Sequence, residues 1–267
     1  ISEIAAEVAE GASPADYLVL SRTNAGLAPL EAACAKAHLP FESTAGGDGT
    51  WGTRDGRDLL TYLRASDGKA SVDGIVSIAN RPLRKLSRRV VEETLERRGV
   101  AQSLSEAFYA TGHYPSELLA NDLSDLESSS WAERTAAAAE LLTTDLRQRS
   151  EPGIDPDEDR IGLITALQGI ASEAVSLDTL ERVVEETAAA SRRKGPRVLL
   201  STIHKAKGGQ RKTVCVMADG LPHPKARDLE EEQRLYYVAI TRAEDRLVIQ
   251  CADPKEHPFV RRHWKGK

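Results

Sequence analysis

The spacing of hydrophobic positions changes twice along the chain and divides it into three stretches. Short apolar runs at 17–22 and 39–44 are typical of buried strands, and apolar residues at helical spacing surround them. Over 67–195 strand-like runs nearly vanish and helical spacing dominates. Strand-like runs return over 196–254. This pattern predicts an α/β fold in two pieces, separated by an all-α insertion.

The same spacing predicts the individual elements. Strands are expected over 17–22, 39–44, 197–204, 213–219 and 246–252. Helices are expected over 1–10, 57–66, 90–98, 132–149, 177–193 and 230–243, with a further helix after residue 22 that has Pro29 near its start. The final residues, 255–267, are basic, and we expect this tail to be frayed.

Polar side chains collect in the last stretch where predicted strands or helices end. They are Ser201, Thr202, His204, Lys205, Lys207, Thr241 and Arg242. Ligands of open α/β sheets bind outside the carboxyl ends of the strands. The sequence therefore predicts that the chemistry of this chain is concentrated at a polar crevice formed by residues of 197–250.

A glycine-rich segment at 46–56 contains GDGTWG, which has the spacing of a dinucleotide-binding fingerprint. That fingerprint requires a buried strand before it and a helix that opens on its last glycine. Here the preceding strand is short and polar, and TRDG delays the helix. We therefore interpret the segment as a surface loop.

Composition is ordinary for a globular protein, with 40% hydrophobic and 29% charged residues. The formal net charge is −5, so a protein of this balance that binds nucleic acid must concentrate its basic residues locally. The three cysteines are far apart and form no CxxC pair, which favours reduced thiols in a cytoplasmic protein. No apolar run approaches the ~18 residues of a membrane span, so we expect no membrane partner.

Basic residues are concentrated at one place in the predicted insertion. Residues 81–98 carry seven Arg or Lys against three Glu, whereas residues 117–186 carry 17 acidic against five basic residues. The basic group comprises Arg81, Arg84, Lys85, Arg88 and Arg89. Two interpretations stay open: a patch that binds duplex phosphates, or an ordinary solvated helix face.

Several segments resemble those of UvrD/Rep-type superfamily 1 DNA helicases. STIHKAKG (201–208) and EEQRLYYVAITRAEDRL (231–247) resemble the last two signature motifs of that family. YLVLSRTNAGL (17–27) resembles the start of its second motor domain, and IANRPLRKLSRR (78–89) resembles the N-x-P-x-R wording of its helical insertion. The resemblance covers nearly the whole chain and is weakest over 100–195.

The resemblance implies a RecA-like parallel-sheet domain, 2A, interrupted by an all-α domain, 2B. On this basis 2A comprises 1–66 and 196–254, and 2B comprises 67–195. A phosphate loop would read G-x-x-x-x-G-K-[ST]. None is present, since GGQRKT (208–213) has Arg before Lys212. The chain alone is therefore expected not to hydrolyse ATP, and ATP with Mg²⁺ would be held mainly by an absent N-terminal motor domain.

The implied function is that of the C-terminal motor half of an ATP-dependent 3′–5′ DNA helicase. Its partners would be single-stranded DNA, a duplex junction and the 1A and 1B domains of the same protein. Two alternatives remain open. The chain could be a free-standing 2A/2B module that binds DNA or protein, or the helicase section of a RecB/AddA-type helicase-nuclease.

The resemblance also assigns roles to individual residues. Arg242 matches the arginine that reaches the γ-phosphate, and Gln210 stands where the family has a Glu that contacts the ribose. Gln keeps a hydrogen-bonding carbonyl but loses the charge of Glu. The positions that match DNA-backbone contacts are Arg22, Asn24, Thr202, His204 and Lys205. Tyr236 and Tyr237 are expected to pack in the core, and the alternative is a platform on which bases stack.

Overall fold

The computed structural model describes residues 1–99, 102–151, 156–206, 209–226 and 228–261. The chain forms two compact units. The first, here called the α/β unit, comprises 1–53 and 183–267, and the second, here called the helical unit, comprises 54–182. Among the described residues no helix is both long and apolar enough to cross a bilayer.

A helix or strand lies at each predicted position, and the described part of the all-α insertion contains four further helices. The helices are α1 (Ser2–Ala9), α2 (Asn24–Lys36), α3 (Arg54–Ser66), α4 (Val72–Ile78), α5 (Arg88–Arg97), α6 (Leu104–Tyr109), α7 (Tyr114–Ser128), α8 (Trp131–Arg149), α9 (Glu158–Glu173), α10 (Leu177–Arg192) and α11 (Leu229–Ile240). The strands are β1 (Tyr17–Ser21), β2 (Phe41–Ser43), β3 (Val198–Thr202), β4 (Arg211–Met217) and β5 (Ala243–Gln250).

The five strands form one sheet in the order β2-β3-β1-β4-β5, and every neighbouring pair is parallel. The two pieces of the α/β unit share this sheet, because β1 lies between β3 and β4. Leu18 pairs with Leu199 on one side and with Val214 on the other. The predicted α/β fold with a parallel sheet and an all-α insertion is confirmed.

Both faces of the central strand are covered, which explains why β1 reads as an uninterrupted apolar run. All five of its side chains are buried. Leu18 and Leu20 point into one hydrophobic core, to which α11 contributes Leu235. Tyr17 and Val19 point into the opposite core, which receives helical side chains from α1, α2 and α10.

The boundary between the units lies at 53/54 and 182/183, whereas the sequence suggested 66/67 and 195/196. The reason is that α3 packs against α4, α7, α8 and α9 of the helical unit. At the other end, α10 runs through the boundary, and its Ala190 belongs to a core of the α/β unit. Propensity locates these helices but does not indicate which core each one joins.

The glycine-rich segment is not the simple surface loop expected from the sequence. Thr50–Gly52 forms a 3-10 helix in which Thr50 and Trp51 are buried. The fully buried carboxylate of Glu31 accepts hydrogen bonds from the backbone and hydroxyl of Thr50 and from Ser43. Gly49 has φ 69°, and a Cβ there would lie 2.6 Å from Glu31 Oε2. This glycine therefore serves a close approach to Glu31.

The described part of the tail is packed rather than frayed. Phe259 and Val260 are buried in the core beneath α11, and the Phe259 ring stacks on Tyr236 with centroids 5.6 Å apart. His257 Nε2 lies 2.9 Å from the carbonyl of Ala218, and its Nδ1 accepts from the backbone of Phe259 and Val260. Residues 262–267 lie outside the described residues.

The duplex-facing interpretation of the basic group is wrong for its first two members. Arg81 is 1% exposed and Arg84 5% exposed, because both guanidinium groups pair with carboxylates inside the helical unit. Arg88 and Arg89 are exposed but pair with Asp73, Glu92 and Glu93. Their charges are thus compensated locally.

Candidate functional site

The residues assigned to ligand binding lie at two opposite edges of the sheet. Arg22 directly follows β1, and His204 follows β3, so both lie at the carboxyl edge. Gln210 directly precedes β4, and Arg242 directly precedes β5, so both lie at the amino edge. The seven-residue strand β4 spans roughly 20 Å. The polar residues of 197–250 are therefore divided between two edges of the sheet.

At the amino edge, Arg242 follows the last turn of α11. Its Nε donates to the carbonyl of Val238 at 3.0 Å, and its Nη2 donates to the Thr241 hydroxyl at 3.2 Å. Both acceptors are neutral. Within the ranges the structure describes, no carboxylate is within ion-pair distance of Arg242. This half-buried guanidinium is thus oriented by its own helix while its charge stays uncompensated.

Gln210 lies beside Arg242 because the two chain segments meet at this edge. The backbone amide of Arg211 donates to the carbonyl of Arg242 at 3.1 Å, which fixes the start of β4 against the start of β5. The side chain of Gln210 is exposed. The amino edge therefore presents a cation and an amide from adjacent segments.

At the carboxyl edge, Arg22 is engaged by a residue that sequence reasoning did not single out. Its Nε lies 3.1 Å from both carboxylate oxygens of Glu232, and its Nη2 donates to Oε1 at 2.7 Å. Glu232 is in the first turn of α11 and is 2% exposed. It also accepts a hydrogen bond from the backbone of His223 at 3.0 Å. The charge of Arg22 is therefore compensated.

The environment of Glu232 keeps its carboxyl group ionised. Burial by itself raises the pKa of a carboxyl group, because the charged form loses hydration. The hydrogen bonds from Arg22 and from the His223 amide outweigh burial, and the pKa of Glu232 lies below its ordinary value. The Arg22–Glu232 contact is thus a charged, bidentate pair at neutral pH.

The turn after β3 combines buried and exposed groups. Thr202 is 6% exposed, and its backbone carbonyl accepts from the amides of Lys205 and Ala206. His204 and Lys205 are exposed. The ammonium of Lys205 donates to the carbonyl of Thr44 at 2.6 Å, so this lysine fastens the turn to the end of β2. Among the described residues of this turn, His204 and Lys205 are the exposed groups that solvent or a ligand reaches.

Asn24 is the first residue of α2 and is half-buried. Its Oδ1 is buried and has no hydrogen-bond partner within the part of the chain that the structure describes. The amino terminus of a helix favours anions. A phosphate near Asn24 is therefore compatible with the helix end. The unpartnered Oδ1 would not bind that phosphate, because an amide oxygen accepts hydrogen bonds and does not donate them.

The two tyrosines before Arg242 differ in environment. Tyr236 is 4% exposed and packs in the core, as expected, whereas Tyr237 is 65% exposed. The core expectation is therefore wrong for Tyr237. Helical periodicity indicates which tyrosine is buried, because Tyr236 shares its face of α11 with the buried residues Leu235 and Ala239. The remaining polar candidate of the sequence, Lys207, lies outside the described residues.

Sequence reasoning missed Glu232 and Thr44 because neither matches an isolated signal. Three consecutive glutamates open α11, and such acids are expected on dipole grounds alone. Only Glu232 among them is buried. Thr44 accepts a hydrogen bond from the Thr202 amide at 3.3 Å through its hydroxyl. Both contacts join segments more than 150 positions apart.

The described residues contain no group of three or more His, Cys, Asp or Glu side chains that could hold a metal ion. The amino edge instead offers an uncompensated guanidinium, which suits a phosphate group. Its donor set fits the outer phosphate and sugar of a nucleotide better than it fits a cation.

Comparison with known proteins gives concordant matches. Residues 1–253 match the family described as UvrD-like helicase C-terminal domain. Putative ATP-dependent DNA helicase YjcD of Bacillus subtilis (strain 168) is 26% identical over 283 residues, which cover 94% of this chain and 36% of the relative. ATP-dependent DNA helicase UvrD1 of Mycobacterium tuberculosis (strain ATCC 25618 / H37Rv) is 28% identical over 296 residues, with 93% and 37% covered.

DNA helicase II of Escherichia coli (strain K12) is 26% identical over 277 residues, which cover 92% of this chain and 38% of the relative. The chain therefore spans little more than a third of the length of these curated relatives.

Proposed function

The chain belongs to the family of UvrD-like helicase C-terminal domains, and we propose on that basis that it is the C-terminal motor half of an ATP-dependent DNA helicase. The parent protein would translocate 3′ to 5′ along single-stranded DNA. The α/β unit would act as domain 2A and the helical unit as domain 2B. The relatives from Bacillus subtilis and Mycobacterium tuberculosis carry ATP-dependent DNA helicase in their names, and each is more than twice as long as this chain.

The uncompensated charge of Arg242 is the observation that carries the proposal. Helix α11 and two hydrogen bonds orient its guanidinium, yet within the described residues no acid neutralises it. A positive group held ready in this way is suited to the γ-phosphate, where charge develops during phosphoryl transfer. Arg242 would act as an arginine finger for ATP that is bound mainly by the N-terminal motor domain.

Gln210 supports the same assignment at the amino edge. It is exposed, and its segment is fixed to that of Arg242 by the Arg211 amide. Its side-chain carbonyl would accept a hydrogen bond from the ribose. Mg²⁺ would accompany ATP and neutralise phosphate charge, with its ligands supplied by the N-terminal domain rather than by the described part of this chain.

The carboxyl edge would contact single-stranded DNA. His204 and Lys205 are exposed there, and the start of α2 at Asn24 lies at the same edge. Imidazole, ammonium and amide groups bind phosphate oxygens without reading base sequence. Arg22 and Thr202 would contribute at the same place, Arg22 through the part of its guanidinium that Glu232 leaves free.

Two ligands at opposite edges imply a mechanism of alternating closure. ATP would draw the amino edge, with Arg242 and Gln210, toward the N-terminal motor domain. The carboxyl edge would then move relative to the DNA contacts of that domain, and hydrolysis would release it. Repetition of the cycle would advance the protein along the strand.

The test uses the full-length protein from which this chain is taken. We expect Arg242→Ala to lower DNA-stimulated ATP turnover by roughly 10³-fold or more, because the transition-state charge loses its partner. Binding of single-stranded DNA should be retained. Arg234→Ala is the matched control, since Arg234 lies on the same helix, is exposed and pairs only with Glu230 among the described residues.

Turnover near the wild-type rate in Arg242→Ala would refute the arginine-finger role. A full-length protein that binds DNA but has no ATPase activity would instead support a free-standing 2A/2B module. Nuclease activity in the same preparation would identify a helicase-nuclease.

A further inference from the structure

Helix α11 connects the two edges of the sheet. Glu232 lies in its first turn at the carboxyl edge, and Arg242 follows its last turn at the amino edge. Their separation of ten positions corresponds to roughly 15 Å of helix. A displacement of one end along the helix axis must therefore appear at the other end.

The contacts of α11 with the sheet differ along its length. Its middle packs through apolar side chains, Leu235, Tyr236 and Ala239, in a hydrophobic core. The hydrophobic effect that drives this packing is non-directional. The bidentate contact between Glu232 and Arg22 is directional, because both carboxylate oxygens and two guanidinium nitrogens take part.

Glu232 also connects a second segment at the same edge. It accepts from the backbone of His223, in the loop after β4, at 3.0 Å. A Cβ on Gly220 of that loop would lie 3.3 Å from the Cβ of Arg22, so the loop and Arg22 are in close contact. One buried carboxylate thus holds the turn after β1 and the loop after β4 against the start of α11.

We propose that Glu232 is a positioning residue that transmits movement of α11, driven by nucleotide at Arg242, to Arg22 at the DNA edge. This inference rests on the proposed function. In it Glu232 contacts neither nucleotide nor DNA. It acts through Arg22, and its buried charge makes the connection stiff.

The decisive measurement is the ratio of single-stranded DNA dissociation constants with and without a non-hydrolysable ATP analogue. The experiment compares full-length wild type, Glu232→Gln, Arg22→Gln and the double variant, by fluorescence anisotropy of labelled oligothymidine. Allosteric ratios are typically 5–150-fold. We expect Glu232→Gln to reduce the wild-type ratio at least about fivefold. If the wild-type ratio is itself less than about fivefold, we expect the ratio of the variant to be one.

The double variant tests the route of the effect. If Glu232 acts through Arg22, the double variant should show the same ratio as Arg22→Gln alone, because the second change removes a connection already lost. Effects that multiply would overturn this route. Glu230→Gln is the matched control, since Glu230 lies in the same helical turn, is exposed and should leave the ratio unchanged.

A purely structural role gives a different result. In that case Glu232→Gln would lower the thermal midpoint while the ratio kept its wild-type value, which would overturn the proposal. If Glu232→Gln fails to fold, Glu232→Asp takes its place, because it keeps the charge but shortens the reach to Arg22 and should also lower the ratio.

Failure of the proposed function is distinguishable from failure of this inference. A wild-type protein that shows no ATP turnover and no nucleotide-dependent DNA affinity would refute the motor assignment and this inference with it. A wild-type protein with a clear ratio that Glu232→Gln preserves would refute only the role of Glu232.

Discussion

Arg81 in the helical unit and Arg242 in the α/β unit carry the same guanidinium group in opposite environments. Arg81 is 1% exposed, and its guanidinium contacts Asp55 at 2.9 Å, Asp58 at 2.5 Å and Asp145 at 2.9 Å. Arg242 is half-buried and has only neutral acceptors among the described residues. The difference separates an arginine that organises a core from one that is available to a ligand.

The surroundings of Arg81 explain why its charge is so fully compensated. Removal of a guanidinium from water is expensive, so a buried arginine persists only where carboxylates surround it. The acids are themselves shared, since Asp55 pairs with Arg160 at 2.6 Å and Asp145 with Arg149 at 2.6 Å. Three acids and several arginines thus connect α3, α8 and α9 with the segment after α4.

Arg22 is intermediate between the two. It belongs to the α/β unit and to a turn that resembles a DNA contact, yet Glu232 compensates its charge. Whether an arginine is paired therefore depends on which segments meet at that point and not on the motif that contains it.

The largest stability effect is expected at Arg81. Arg81→Met should destabilise the protein by roughly 3–5 kcal/mol, because three buried carboxylates lose their shared partner. Urea denaturation of the purified chain measures the change. Arg89→Ala is the matched control, since Arg89 is exposed and pairs with Glu93 only across one helical turn. A loss of less than about 1 kcal/mol for Arg81→Met would show that Arg81 does not organise the core of the helical unit.

The same network should make the helical unit sensitive to acid. Burial raises the pKa of Asp55, but hydrogen bonds from Arg160 and Arg81 outweigh it, and the folded-state pKa lies below the ordinary value. An acid with a depressed pKa stabilises the fold above its unfolded pKa, and this stability is lost as pH falls through the folded pKa. We expect the free energy of unfolding to decrease below about pH 4.

This pH dependence has its own control. The slope attributable to one proton is at most about 1.4 kcal/mol per pH unit. Asp55→Asn removes the titrating group, so denaturation curves measured from pH 6 to pH 3 should decline less steeply for this variant. Equal slopes for both proteins would show that Asp55 does not carry the effect.

A smaller effect is expected for DNA binding at the carboxyl edge. Arg22→Ala should weaken binding of single-stranded DNA to a similar extent for different sequences and lower the salt slope by about 0.7, as expected for one lost phosphate contact. Titrations at several salt concentrations measure this slope. A sequence-selective loss would contradict a backbone contact. An unchanged slope would show that Arg22, like Arg81, has a structural role and makes no phosphate contact.

The smallest stability effect is expected at Arg242. Arg242→Ala should change the free energy of unfolding by less than about 0.5 kcal/mol, because only hydrogen bonds within its own helix end are lost. The urea measurement used for Arg81 applies directly. A loss comparable to that of Arg81→Met would show that Arg242 is a structural residue.

Much of the local structure followed from sequence. Apolar runs located β1 and β3, and helical spacing located α8 and α10 to within a residue or two. These elements are set by short-range patterns of burial, which the chain carries in its own order. The boundaries of the two units were not accessible in this way, because α3 is equally helical in either core.

The candidate site divides in the same manner. The motif at 231–247 singled out Arg242 as a candidate site residue. The position of this residue directly after α11 is a local property of the sequence. The basic group that includes Arg81 and Arg84 was ambiguous, because the compensating acids Asp55, Asp58, Asp145 and Asp122 are distant in sequence. A charge run without its partners cannot be assigned to the surface or to the core.

The sequence by itself thus determined the elements, the interrupted α/β organisation and the resemblance that assigns Arg242 and Gln210. Only the tertiary structure decided that Arg242 and Gln210 lie at the opposite edge of the sheet from Arg22 and His204, that Arg81 is buried and that Glu232 holds Arg22. The physical reason is the sequence separation over which each interaction acts. Periodicity and capping act over a few residues, whereas the compensation of a charge depends on side chains brought from as far as 210 positions away.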